Sequence, residues 1–244
     1  MRRYPLPATR YPLQLFYDPD LQTGPHELRS TEAQHAFRVL RKQTGDVLDL
    51  VDGKGGWYRG TVTEINKRNC LLDVTELRRE THRSAYRTTL LIAPTKNVDR
   101  FEWALEKATE VGVDRIQPVL TEHSERKRIR TDRHRRIMEA AMKQCLRAWL
   151  PVLEELLPLP EALSLASGVG YLPYLGNDGS PLLRDTCRTG SDVTVAIGPE
   201  GGFSPAEAEL ARERGFHWVS LGPNRLRTET AAVAALHTIE SLNW

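Results

Sequence analysis

A chain of 244 residues, 40% hydrophobic and 27% charged, can bury a sizeable core, which excludes a disordered or low-complexity protein. No apolar run reaches membrane-spanning length, and Met1-Arg2-Arg3-Tyr4-Pro5-Leu6-Pro7 has charge with no apolar segment after it; the expectation is a cytoplasmic protein without a secretory signal or membrane partner. Cys70, Cys145 and Cys187 lack paired spacing and the seven histidines lack i, i+4 pairing, so neither a disulfide framework nor a metal is expected.

The formal charge of +2 is unevenly spread: His123 to Arg147 holds nine Lys/Arg against three Asp/Glu. Such a stretch suits phosphate contacts with RNA, although a solvated helix face is the commoner meaning of a charge run.

In chain order, a first strand is predicted around Leu13 to Tyr17, and Thr31-Glu32-Ala33-Gln34 has capping-box spacing that opens a short helix through Leu40. Leu48 to Val51 and Trp57 to Ile65 flank the turn Asp52-Gly53-Lys54-Gly55-Gly56 and read as a hairpin, with Cys70 to Val74 as the next strand. A small antiparallel barrel is the natural packing, ending at the polar run Arg78 to Ser84. The rhythm then becomes strand, helix, strand. Strands are predicted at Thr88 to Ala93, Arg115 to Leu120, Tyr171 to Leu175, Val193 to Ile197 and Trp218 to Leu221. Helices are predicted from Asp99 to Gly112, with Phe101, Leu105, Ala108 and Val111 on one face, from Asp132 to Leu150, and from 205 to 214, opened by the capping box Ser204-Pro205-Ala206-Glu207. A last helix follows from about Thr228 to Leu242. The alternation predicts an α/β domain with a mostly parallel sheet covered on both faces.

Two strand ends carry the chemistry. The strand to Ile197 runs into Gly198-Pro199-Glu200-Gly201-Gly202, and the strand to Leu221 runs into Gly222-Pro223-Asn224-Arg225-Leu226-Arg227-Thr228-Glu229-Thr230. Ligands gather beyond the carboxyl ends of strands in open α/β sheets, and glycine lets backbone approach a ligand closely. The spacing is neither a Walker loop nor a dinucleotide fingerprint. Backbone without a phosphate cradle suits an adenosine-containing ligand that lacks a phosphate chain. Alone, the first loop is equally a tight strand-to-helix connection; the second makes the pair read as two sides of one pocket. Thr228 and Glu229 also suit an N-cap and a first-turn acid.

The strings Ile197-Gly198-Pro199-Glu200-Gly201-Gly202-Phe203-Ser204, Leu221-Gly222 and Leu226-Arg227-Thr228-Glu229-Thr230-Ala231 closely resemble the RsmE family of 16S ribosomal RNA uridine-N3 methyltransferases. The likeness continues through His35, Arg38 to Arg41, Lys96, Lys107 to Val113, Ser124 to Arg126 and Lys143 to Arg147, with Cys145 and Leu146 standing where the family often has serine and glycine. The resemblance implies a PUA-like RNA-binding barrel over residues 1–78 and a SPOUT methyltransferase domain with a trefoil knot over 79–244. It implies a homodimer acting on 16S ribosomal RNA or the small ribosomal subunit, with S-adenosyl-L-methionine held by Leu175, Gly176, Ile197, Gly198, Pro199, Glu200, Gly201, Gly202, Leu221, Gly222, Leu226, Arg227 and Thr228. The RNA contacts expected are His35, Arg38, Arg41, Lys96, Arg126 and Arg147.

Uridine N3 carries a proton that must leave before methyl transfer. Glu229 and Glu200 are the candidate bases, and Arg227 and Arg147 the candidate cations for the uracil anion. The competing readings are a SPOUT enzyme acting on another RNA position and a non-catalytic ribosome-assembly protein.

Overall fold

The computed structural model describes residues 14–80, 85–177 and 179–244, so the expected features at Met1 to Leu13 and at 81–84 lie outside the described residues. Within them the chain forms two compact units, one of 14–80 with Glu139–Leu150 and one of 85–138 with Pro151–Trp244.

The first unit is a five-stranded sheet in the order β1-β3-β4-β5-β2. It comprises β1 (Leu15–Tyr17), β2 (Gly24–Glu27), β3 (Val47–Val51), β4 (Gly56–Ile65) and β5 (Cys70–Arg79). β3 and β4 pair antiparallel across the predicted turn, whereas β1 pairs parallel to β3, a departure from the all-antiparallel expectation. Alternate residues of β4, Tyr58, Gly60 and Val62, face a core with Phe16, Leu48, Leu50 and Leu72, the period-2 pattern of a half-buried strand. The buried Asp52 closes the hairpin. It accepts from Lys54 N at 2.7 Å, Gly56 N at 2.9 Å, Tyr58 Oη at 3.1 Å and Arg79 Nη1 at 3.0 Å. Burial alone would raise its pKa, but these donors outweigh that and hold the carboxyl below its ordinary value.

Helix α1 (Ser30–Gln34) differs from expectation at its start. No side chain caps it, and a π-helical turn, His35–Val39, continues it. The N-cap position falls to Arg29 rather than Thr31, and the Glu32 carboxylate takes Lys143 Nζ at 2.5 Å. Arg29 likewise reaches Glu139 at 2.8 Å, and Met142 and Ala148 pack with Leu15, Tyr17 and Val51. These contacts hold Glu139–Leu150 to the first unit, a grouping that chain order does not suggest. They also accompany an earlier end to the third helix: it spans Thr131–Gln144, not to Leu150, and Leu146 takes a left-handed φ of 56°.

The second unit is a seven-stranded sheet in which every recorded pair is parallel. Its main path is β12 (Phe216–Val219), β10 (Val169–Pro173), β11 (Val193–Ile197), β6 (Thr88–Ile92), β7 (Arg115–Leu120) and β8 (Val152–Leu153), with β9 (Leu157–Pro158) also on β7. The central strands are apolar almost throughout because helices cover both faces. On one side lie α2 (Val98–Val111) and α7 (Thr228–Leu242), which pack together, α7 also meeting β6 and β11, and which bury Phe101, Leu105, Ala108, Ala232, Leu236 and Ile239. On the other, α4 (Leu159–Ser164) and α6 (Pro205–Glu213) share a core with Leu91, Leu172, Ala196 and Phe216. The helix Thr131–Gln144 is α3, and the single turn Leu183–Thr186 is α5.

Two N-termini illustrate local coding. At α6 the predicted capping box forms: Ser204 Oγ accepts from Glu207 N at 3.3 Å while Glu207 Oε2 accepts from Ser204 N at 2.9 Å, the type of cap whose loss costs about 1 kcal/mol. At α2 the cap lies earlier than Asp99, at Asn97, whose Oδ1 accepts from Asp99 N at 2.9 Å. No described helix is long and apolar enough to cross a membrane.

Candidate functional site

The carboxyl ends of β10, β11 and β12 meet around a cavity of about 430 Å³, within the range of small-molecule sites. Pro173 to Gly176 form one wall, Ile197 to Phe203 a second, and Val219 to Gly222 with Asn224, Arg225, Leu226, Thr228 and Ala231 a third. The two glycine-containing loops therefore border one space. Two bonds tie them: Thr228 Oγ1 donates to Gly198 O at 3.0 Å, and Arg225 Nη2 donates to Glu200 O at 3.2 Å. Thr228 is thus a brace between loops, while the N-cap position of α7 falls to Arg227, whose side chain makes no cap bond.

The glycines of the first loop have two separate reasons. A Cβ on Gly198 would lie 3.2 Å from the backbone at Gly202 and Phe203, and Gly202 takes a φ of 73°, a region other residues enter only with strain. The loop folds back on itself through Gly202 N to Pro199 O at 2.9 Å. Its peptide edges and the apolar side chains of Leu175, Ile197, Phe203, Leu221 and Leu226 suit a planar base and a neutral sugar, with no array of cations for phosphates. The residues present fit a nucleoside ligand.

Neighbouring loops brace the first. Glu200 Oε1 accepts from Lys96 N at 3.0 Å, Arg126 donates to Thr95 O at 3.0 Å and to Lys96 O at 2.7 Å, and Gly202 O meets His123 Nδ1 at 3.1 Å. Lys96 Nζ pairs with Glu125 at 2.8 Å, and that hydrogen bond raises the pKa of the exposed ammonium.

Of the thirteen expected cofactor contacts, all but Arg227 lie on the cavity wall. Among the candidate catalytic groups, Glu200 is on the wall and Glu229 is not. Glu229 is buried, with Oε1 3.8 Å from Arg100 Nε on α2 and Oε2 without a hydrogen-bond partner. Arg147 belongs to the Glu139–Leu150 segment of the first unit, where the structure also places His35, Arg38 and Arg41. Arg38 and Arg41 are exposed, whereas His35 is half-buried with its ring 5.9 Å from Phe16.

Within the basic stretch Arg133 pairs with Glu102 at 2.7 Å, whereas Lys127, Arg128, Arg130, Arg135 and Arg136 are exposed and have no ion pair with a described acid. Tyr174, Phe203, Asn224, Arg225 and Ala231 also line the cavity. They are absent from the expected contact set, and only their position beside the glycine loops could have signalled them. Among the described residues no cluster of three or more His, Cys, Asp or Glu is placed to hold a metal.

The family model described as RNA methyltransferase domain matches residues 82–240, and the one described as RNA methyltransferase PUA domain matches 28–75. Ribosomal RNA small subunit methyltransferase E of Synechocystis is 32% identical, over 88% of this chain and 72% of its own. Among solved structures, a "probable rRNA-methyltransferase" from Porphyromonas gingivalis superimposes with a TM-score of 0.86 at 40% identity, covering 95% of this chain and 98% of that one. A ribosomal RNA small subunit methyltransferase E from Neisseria gonorrhoeae bound to S-adenosyl methionine gives 0.79 at 28% identity, covering 94% and 98%.

Proposed function

Since the chain belongs to the RNA methyltransferase family, and to its small-subunit methyltransferase E group, we propose that it methylates N3 of one uridine in 16S ribosomal RNA with S-adenosylmethionine as donor. By kinship the target is uridine 1498 in standard rRNA numbering. The observation that carries this reading is the cavity itself: the loops after β11 and β12, which flank β10 and are joined by Thr228 and Gly198, border a space suited to a nucleoside without phosphates. A non-catalytic assembly protein has no use for such a cavity.

Bound there, S-adenosylmethionine supplies a methyl group already activated on a sulfonium. The chain holds that ligand through its backbone loops, excludes water and aligns the target nitrogen. Of the two candidate bases, Glu200 has an oxygen committed to Lys96 N, whereas Glu229 keeps a buried oxygen without a partner. An unsatisfied buried carboxylate oxygen calls for a role, so proton removal is assigned to Glu229, which stands behind the wall beside Thr228 and turns toward the cavity to act, with Arg227 or Arg147 facing the uracil anion. The first domain, 1–78 by sequence, grips RNA with His35, Arg38 and Arg41. The second, 79–244, adds Lys96, Arg126 and the exposed cations beyond it. The family's trefoil knot and homodimer complete the reading, and its site of action is the cytoplasm, where small subunits are assembled.

Calorimetry with S-adenosylmethionine tests the donor site, and absence of saturable binding would remove the enzyme reading. For Glu229, the Glu229→Gln variant is expected to bind the donor normally and to lower turnover by about 100-fold, with activity recovering as pH rises toward the N3 pKa of free uridine. Undiminished turnover at neutral pH would exclude Glu229 as the base.

A further inference from the structure

Only two described residues on the cavity wall carry a formal charge, Glu200 and Arg225, and they have opposite signs. They are also joined, because Arg225 Nη2 donates to the Glu200 carbonyl oxygen at 3.2 Å and so reaches from the second loop to the first. That bond uses one of five guanidinium donors. Arg225 is exposed and has no ion pair with a described acid. The Glu200 carboxylate has one oxygen on Lys96 N. The rest of the wall is backbone or side chains without charge, among them Pro173, Ile197, Phe203 and Leu226.

An otherwise uncharged wall with one cation and one anion side by side complements a zwitterion. S-adenosylmethionine ends in one: its α-carboxylate is the only anionic group of the molecule, beside an α-ammonium, while its purine and ribose are neutral. Arg225 repels the ammonium and the sulfonium and attracts the carboxylate, which the planar guanidinium can bind through two parallel hydrogen bonds. The N-terminus of α7, three residues beyond Arg225, adds partial positive charge on the same side.

We propose that Arg225 recognises the carboxylate of the donor's amino-acid end, with Glu200 beside it for the ammonium, and so sets which way round the donor lies in the cavity. The inference rests on the reading of this cavity as the donor site and specifies which end of the ligand these side chains take.

Two probes separate the ends: S-adenosylhomocysteine, which keeps the amino-acid group, and 5′-methylthioadenosine, which lacks it. Calorimetry on the full chain is expected to show Arg225→Ala weakening S-adenosylhomocysteine by about 10- to 100-fold, the usual cost of a lost charged hydrogen bond. Binding of 5′-methylthioadenosine should change by less than about twofold, and Arg225→Lys, which keeps charge but not the fork, should fall between. An equal loss for both probes, or no loss for either, overturns the assignment, as does an effect confined to turnover or RNA affinity. If the unaltered protein binds neither probe, the donor reading itself fails; if it binds both and the ratio survives Arg225→Ala, only the assignment of Arg225 falls.

Discussion

The cavity and the basic stretch that follows β7 solve opposite recognition problems. The cavity is lined by peptide edges and apolar side chains and has one charge of each sign, whereas Lys127, Arg128, Arg130, Arg135 and Arg136 stand exposed with no ion pair to a described acid. A wall that is nearly neutral recognises shape and a few placed groups; a row of solvated cations recognises a polyanion by its charge density. Donor affinity should therefore depend on loop geometry and little on salt, and RNA affinity the reverse.

The largest break in that contrast is expected from Gly198→Val. Its side chain would press on the backbone at Gly202 and Phe203, which cannot yield as a side-chain tip can. S-adenosylmethionine binding should fall by at least about 100-fold, while RNA affinity measured without donor is retained. A smaller, complementary effect is expected from replacing Lys127, Arg128 and Arg130 together by alanine. Calorimetric donor affinity should stay unchanged, while the slope of log K against log salt for RNA becomes shallower by about 2, near 0.7 for each phosphate contact to a single strand. An unaltered slope would move the RNA contacts elsewhere.

The smallest effect sharpens the same line, because one member of the basic stretch is not solvated. His134 is buried against Phe101 with Nδ1 lacking a partner. Its pKa is lowered chiefly by desolvation, with Arg133 and Arg126 also lowering it and Glu102 opposing. It folds neutral, so the unfolded chain binds the extra proton and stability is lost as pH falls through the ordinary imidazole value of about 6.5. Melting temperature should drop between pH 7.5 and 5.5, and less so in His134→Leu. An identical pH dependence in both would mean that His134 is not responsible.

What could be read from sequence follows the range of the interactions. The α6 capping box, the hairpin around Asp52 and the parallel strands are local or periodic patterns and are present, although the strands expected at Tyr171 to Leu175 and Trp218 to Leu221 run two residues earlier, at Val169–Pro173 and Phe216–Val219. The capping-box spacing at Thr31 misleads because the helix is already under way there from its N-cap position at Arg29, and α3 stops early where the following segment packs with the first unit's core. Strands of two residues, β8 and β9, and the six-residue α4 are too short for periodicity to reveal. The loops of the cavity are legible from their glycines. The bracing is not: no pattern announces that Thr228 will reach Gly198, that Glu200 will spend an oxygen on Lys96 N, or that Arg225 will reach the Glu200 carbonyl.

The central claim, methyl transfer to uridine N3 in small-subunit RNA, is tested most directly by mass mapping of modified nucleosides in 16S ribosomal RNA from a strain lacking the gene. Loss of N3-methyluridine at one position, restored by the intact gene and not by the Gly198→Val form, is the predicted result. Retention of N3-methyluridine in the deletion strain would contradict it.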